Sequence, residues 1–235
     1  MNTTFILVEP SVPENVGATA RAIKTMGFTD LRLVNPCDYL GHKSLMLAHG
    51  SHDILTNAKV YNSLGEAIQG IDFTIATSAK DRWVKQNMIN STELLSFIEN
   101  KRKIISSLAI IFGREESGLS NDDIALCDRV SAVDIPKPYP SLNLSQAVMV
   151  FAYTLSPLAA KQNLNKITSK KGIDNHGFKP LKDRVIALLN SISITEQNLV
   201  HGRVIERLSE ISNEDVNLLH SIISKIEEVI DNRNC

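Results

Sequence analysis

Tyr139-Pro-Ser-Leu-Asn-Leu-Ser-Gln-Ala147 joins a rigid turn, two small polar side chains and the start of a helix in nine residues. Pro138 and Pro140 restrict the backbone and bias the residues before them toward extended conformations. Asn143, followed three residues later by Gln146, reads as an N-cap with its box partner. The run that follows, Ala147-Val-Met-Val-Phe-Ala-Tyr-Thr-Leu155, is almost wholly apolar. A buried helix is therefore expected, with its free amides and the positive end of its dipole turned toward the loop. Such a loop holds backbone against a ligand.

Outward from this stretch, the chain up to about residue 158 alternates short β-branched apolar runs with helical segments. That alternation predicts βα units and an α/β fold with a mainly parallel sheet flanked by helices. The expected strands are Thr4–Val8, Leu31–Val34, Phe73–Thr77, Leu108–Phe112 and Arg129–Ile135. The expected helices are Asn15–Met26, Ser63–Ile68, Thr92–Glu99, Asn121–Leu126 and Asn143–Leu155. Composition shifts at Lys161, where a polar stretch with two glycines reads as a linker. Beyond it Leu181–Leu189, Glu196–Leu208 and Asp215–Ile230 have helical spacing. The organisation read from the chain is thus residues 1–160 as one domain, 161–177 as linker and 178–235 as a small helical appendage.

With 43% hydrophobic residues, the 235-residue chain can build a real core. There is no run of eighteen apolar residues, and Phe5-Ile-Leu-Val8 is too short for a signal-peptide core, so a cytoplasmic protein with no membrane partner is expected. Cys37, Cys127 and Cys235 are far apart, which fits reduced thiols, with Cys127 a small core residue. His49 and His52 are three apart but lack a third ligand nearby, so no metal is expected. The net charge of −1 carries no global signature of nucleic acid. Between Lys161 and Arg207, however, nine Lys/Arg face four Asp/Glu. This local excess fits a solvated linker and helix surface more readily than a nucleic-acid contact.

Polar islands at the ends of predicted strands are where open α/β sheets bind ligands. The first, Pro13-Glu-Asn-Val-Gly-Ala-Thr-Ala-Arg21, opens a helix on which Gly17 clears space on the face carrying the Arg21 guanidinium. The second is Phe112-Gly-Arg-Glu-Glu-Ser-Gly-Leu119, where Gly113 and Gly118 let backbone approach a ligand while Arg114, Glu115 and Glu116 bring charge to the rim. It contains neither Gly-Lys-Ser/Thr nor Gly-x-Gly-x-x-Gly, which disfavours a nucleotide-phosphate site and a Rossmann-type oxidoreductase. The third is the stretch quoted first, where Ser141 and Asn143 can align a substrate and Leu142 with Ile135 can flank a flat ring. Trp83 and Arg82, with Lys80 and Lys85, fit RNA stacking and phosphate contact or a dimer-surface loop equally well.

In order, Asn-x-Gly-x-x-x-Arg, Phe-Gly-x-Glu-x-x-Gly-Leu and Tyr-Pro-Ser-Leu-Asn-Leu resemble the three signature motifs of the SpoU branch of the SPOUT RNA 2′-O-methyltransferases, closest to the TrmJ-like group. The resemblance covers about residues 3–158. It implies a SPOUT-type sheet with a trefoil knot in the C-terminal part of the catalytic domain, an exception to unknotted topology, and a homodimer with composite active sites. It further implies S-adenosylmethionine held at Thr77, Ser78, Ala79, Gly113, Ile135, Pro140, Ser141 and Leu142. The implied reaction is attack of a ribose 2′-hydroxyl on the sulfonium methyl, in tRNA more readily than rRNA. Arg21 matches the catalytic position, although a protonated guanidinium is a poor base and suits phosphate binding and alkoxide stabilisation better. Asn15 and Glu115 would orient Arg21 and the loops, and Ser141 and Asn143 the ribose and cofactor. An rRNA 2′-O-methyltransferase and a catalytically inactive RNA-binding member of the fold stand as alternatives.

Overall fold

Runs of β-branched, aromatic and long apolar residues set the strands, because such side chains pack on a pleated surface covered from both sides. The computed structural model describes residues 1–79, 88–135, 141–165 and 177–231. In it β1 (Asn2–Val8), β2 (Asp30–Val34), β3 (Lys59–Tyr61), β4 (Phe73–Thr77), β5 (Met88–Asn90), β6 (Ser107–Phe112) and β7 (Arg129–Ala132) form one sheet. Its order is β3-β2-β1-β6-β4-β7-β5. All the pairings are parallel, with Phe5 of β1 opposite both Leu31 and Ile110. Ile6, Ile75, Ile110 and Ile111 are fully buried in this sheet.

Helices α1 (Pro13–Thr25), α2 (His42–Leu47), α3 (His52–Thr56), α4 (Leu64–Ala67), α5 (Ser91–Asn100), α6 (Asn121–Ala125) and α7 (Leu144–Asn165) connect the strands or follow the last one. The apolar run after Asn143 behaves as expected of a buried helix, with Val148, Phe151, Ala152 and Leu155 enclosed, although Tyr153 is exposed. The rings of Phe5 and Phe112 stack at 6.3 Å, and Phe112 meets Phe151 edge-on at 5.6 Å. This aromatic column ties α7 to the sheet.

Several boundaries differ from the sequence reading for local reasons. The strand expected through Ile135 leaves the sheet after Ala132. Strands β3 and β5 span three residues each, and α2 and α3 span six and five, too short for either periodicity to emerge. Helix α7 runs past the composition change at Lys161 to Asn165, since Lys161, Gln162 and Leu164 favour helix. Pro138 and Tyr139, Lys80 to Lys85 with Trp83, Cys235 and most of the polar stretch after Asn165 lie outside the described residues.

The chain divides into two compact units, Met1–Phe97 with Ser107–Ser169, and Ile98–Ser106 with Lys170–Cys235. The second contains α8 (Phe178–Ser191), α9 (Leu199–Leu208) and α10 (Asn213–Asp231). Phe178 N donates to Ile104 O at 2.9 Å, and Lys101 Nζ donates to Ile211 O at 2.8 Å. Arg184 donates to both Glu227 oxygens and to Ser224 Oγ, which joins α8 to α10.

Candidate active site

Strands β6, β4 and β7 are neighbours, so their carboxyl ends open side by side. A cavity of about 300 Å³ lies beyond those ends, a size at the small-molecule end of ligand sites. Thr77, Ser78 and Ala79 reach it from the end of β4, and Gly113 from the end of β6. Val133 and Ile135 come from the segment leaving β7, and Ser141, Leu142 and Ala147 from the entry to α7. Phe112 and Phe151 also line it. Thr77 Oγ1 donates to Ile111 O at 2.9 Å, and Ser78 N donates to Ser131 O at 3.0 Å. These bonds hold the end of β4 between its two neighbours. Of the residues expected around a cofactor, Pro140 alone lies outside the described residues; the other seven line this one cavity.

The loop after β6 is closed on itself. Arg114 N donates to Gly118 O at 3.2 Å and Gly118 N to Arg114 O at 2.9 Å. Gly118 has φ +72°, and a Cβ on Gly113 would stand 2.1 Å from the Gly118 carbonyl carbon. Both positions therefore require glycine, one for backbone conformation and one for space. Arg114 donates to Glu9 from Nε at 2.8 Å and from Nη2 at 2.7 Å, and to Asp123 from Nη1 at 3.1 Å. This fork pulls the Glu9 carboxyl below its ordinary range, the Arg114 hydrogen bond being the main cause. Asp123 is itself half of the capping box that opens α6 with Ser120. Arg114 is thus a clamp across three segments, and the charge expected of it at the rim is consumed inside the fold.

Helix α1 has no side-chain cap of its own. Glu115 supplies one from more than a hundred residues away, accepting from Ser11 N at 3.0 Å, Val12 N at 3.2 Å and Ser11 Oγ at 3.1 Å. Burial pushes the Glu115 carboxyl up, but the hydrogen bonds from Ser11, Asn15 and Val12 outweigh it and leave it below its ordinary range. Asn15 Nδ2 donates to Glu115 Oε1 at 3.1 Å. Its other amide atom, Oδ1, accepts from Asn143 Nδ2 at 2.9 Å. The Asn143 Oδ1 accepts from Ser145 N at 2.9 Å, while Gln146 Oε1 accepts from Asn143 N at 3.3 Å. Three islands distant in sequence are joined by one directed chain, Asn143 to Asn15 to Glu115, which also assigns both amide orientations.

Arg21 stands apart from this network. It is exposed on α1, about 9 Å along the helix axis from Asn15 at the usual rise, and it is not among the residues lining the cavity. Among the described residues no side chain pairs with its guanidinium. Gly17 corrects the sequence reading: a Cβ there would stand 2.0 Å from Ser44 O, so the space it clears is filled by the backbone of α2. His52 Nε2 lies 2.8 Å from Leu45 O, and His49 is exposed. Cys127 is buried, its thiol 3.3 Å from Asp123 O. Sequence reasoning missed Glu9, Ser11 and Asp123. Only Asp123 left a local signal, three residues after Ser120 in the pattern of a capping box.

A parallel sheet with a cavity at its carboxyl ends, closed by a polar loop and the entry to an apolar helix, defines an α/β small-molecule-binding enzyme core. The chain belongs to the SpoU rRNA Methylase family, which residues 2–153 match. Residues 175–230 match a second family, described as the C-terminal domain of tRNA/rRNA methyltransferase LasT, so likeness extends through the helical unit that the motifs left out. The chain is 38% identical over 230 residues to the "uncharacterized tRNA/rRNA methyltransferase LasT" of Escherichia coli, covering 98% of this chain and 99% of that one. It is 39% identical over 154 residues to the tRNA (cytidine/uridine-2′-O-)-methyltransferase TrmJ of Klebsiella pneumoniae, covering 65% of this chain and 62% of that enzyme. Among solved structures, a "probable methylase family protein" from Haemophilus influenzae superposes with a TM-score of 0.64 at 30% identity, covering 99% of this chain and 98% of the other.

Proposed function

We propose that this protein transfers a methyl group from S-adenosylmethionine to a ribose 2′-hydroxyl of structured RNA, with tRNA as the preferred class. The observation that carries this reading is the Asn143–Asn15–Glu115 chain beside the cavity, because it locks the three signature segments into one rim. Membership of a methylase family sets the reaction class. The cavity fits the methyl donor: Leu142, Ile135 and Val133 offer apolar walls to a purine ring, and backbone groups at Ala79 and Gly113 offer hydrogen bonds. The bound cofactor would supply an electrophilic methyl on a sulfonium. The tRNA preference rests on what the TrmJ relative is named for.

The chain's own residues would orient the reactants. Ser141 lies at the cavity mouth, exposed, and serves ribose and cofactor alignment. Asn143 keeps the α7 entry in register through its cap bonds and serves the same alignment. Glu115 and Asn15 set the start of α1 and thereby the line along which Arg21 points. Arg21 binds the phosphate next to the target ribose and stabilises the developing alkoxide. Because Arg21 does not line the cavity of its own chain, a homodimer with composite sites accounts for its role, each subunit lending its Arg21 to the other. We place such an enzyme in the cytoplasm, with its substrate. The order in which the chain visits β4, β5, β6 and β7 supports the knotted threading that the motifs imply.

Between residues 161 and 184, seven Lys/Arg face two Asp, whereas from 185 to 231 three face eight Asp/Glu. The basic stretch before and within α8 is therefore the part of the C-terminal region suited to an RNA backbone. The deciding experiment incubates purified protein with isotopically labelled methyl donor and either bulk tRNA or rRNA, followed by nucleoside mass spectrometry. A labelled 2′-O-methylnucleoside in tRNA is expected. RNA binding with no methyl transfer to either RNA would sink the enzymatic reading and leave an RNA-binding protein.

A further inference from the structure

Three charged residues of the loop after β6 line the cavity: Arg114, Glu115 and Glu116. Two are committed inside the fold, Arg114 to Glu9 and Asp123, and Glu115 to the start of α1. Glu116 is not. It is exposed, and among the described residues no side chain or backbone group pairs with its carboxylate. Its position is nevertheless defined, since the Arg114–Gly118 backbone bridge and the two glycines close the loop on either side of it.

Charge around this loop is also unbalanced. Among the described residues, Glu9, Asp123, Glu115 and Glu116 set four negative charges around this loop against the single positive charge of Arg114, a balance of 1 − 4 = −3, and of these Arg114, Glu115 and Glu116 line the cavity. Hydrogen bonds hold the Glu9, Asp123 and Glu115 carboxyls below their ordinary range, so all remain ionised at neutral pH. A carboxylate on a wall of this sign attracts a cation inside the cavity.

We propose that Glu116 is a specificity residue that selects the charge of the cofactor, favouring the cationic sulfonium methyl donor over the neutral thioether left after transfer. This rests on the methyl-donor reading above. Donor and product have the same adenosine and amino-acid groups and differ by the methyl and its positive charge, so contacts with purine, ribose or amino acid cannot tell them apart. An unpartnered carboxylate on the cavity wall can, because its attraction for the sulfonium disappears when the methyl leaves. The consequence is weaker product retention and readier exchange for fresh donor.

The test is calorimetric titration of the full-length protein, its E116Q variant and its E116D variant with S-adenosylmethionine and with S-adenosylhomocysteine. With one exposed ion pair lost, E116Q should weaken donor binding about two- to fivefold while leaving product binding nearly unchanged. E116D keeps the charge and should retain most of the parental preference. Raising salt should shrink the preference in the parent more than in E116Q. Equal losses for both ligands, or unchanged affinities for both, would overturn the proposal while leaving the methyl-donor reading intact. A parent protein that binds neither ligand would overturn both.

Discussion

Asn143 serves two structures with one side chain: its Oδ1 caps α7 through Ser145 N, and its Nδ2 reaches Asn15. Asn143→Ala should therefore cost about 1 kcal/mol of stability through the lost cap. It should cost far more in rate, roughly a hundredfold, because the loop that positions the reactants loses its tether. A double-mutant cycle with Asn15→Ala, read by urea unfolding, should give a coupling of about 0.5–1 kcal/mol; strict additivity would mean that the bond contributes nothing. Glu115 makes a pH prediction at the same scale. Its folded-state carboxyl lies below the ordinary value of 4.5, so its contribution is present above that pH and is lost as pH falls through the lower folded value. Thermal midpoints measured from pH 7 to pH 3 should fall less steeply on the acid side in Glu115→Gln than in the parent. Parallel curves would remove Glu115 from the acid sensitivity.

At the scale of elements, the entry and angle of α1 are set by what it packs against. Glu115 caps its start and the backbone of α2 lies against Gly17, while neighbouring Val16 and Ala20 are buried. Gly17→Ala should destabilise by about 1–3 kcal/mol through overpacking, and by moving the helix that bears Asn15 and Arg21 it should reduce activity more than the loss of fold explains. Gly65→Ala is the matched control. A Cβ there meets Ser63 Oγ at 4.0 Å, ordinary contact, within α4, so the change should be neutral or stabilising by up to about 1 kcal/mol. Denaturant midpoints for the two variants check the contrast, and a Gly17→Ala protein as stable as the parent would contradict the close packing.

At the scale of the whole molecule, the proposed reaction needs Arg21 and the cavity together, yet Arg21 does not line the cavity of its own chain. Arg21→Ala should abolish methylation with cofactor affinity nearly intact, and Ala147→Phe should fill the cavity and abolish cofactor binding. Co-expressed and purified together, the two inactive variants should regain activity. A random mixture gives half of its dimers with one intact composite site, hence about a quarter of the parental rate. Mixtures as inactive as each variant alone would refute the shared site.

Much of this was legible in the chain itself, because the signals are local. Alternating apolar runs specify parallel strands and covering helices, and Asn143 with Gln146 marks the start of α7 through contacts within one turn. Seven of the eight residues expected at a cofactor line one cavity, since each lies just past a strand end or at a helix entry. Tertiary structure alone decided the partners. Nothing near Glu115 in sequence says that it caps α1, nothing near Gly17 says that α2 fills its space, and nothing near Arg114 says that Glu9 and Asp123 hold it while Glu116 has no partner among the described residues. Those pairings follow from the strand order, which brings the carboxyl ends of β1, β6, β4 and β7 side by side. Propensity acts between near neighbours along the chain, and the order of strands is settled by packing over the whole sheet.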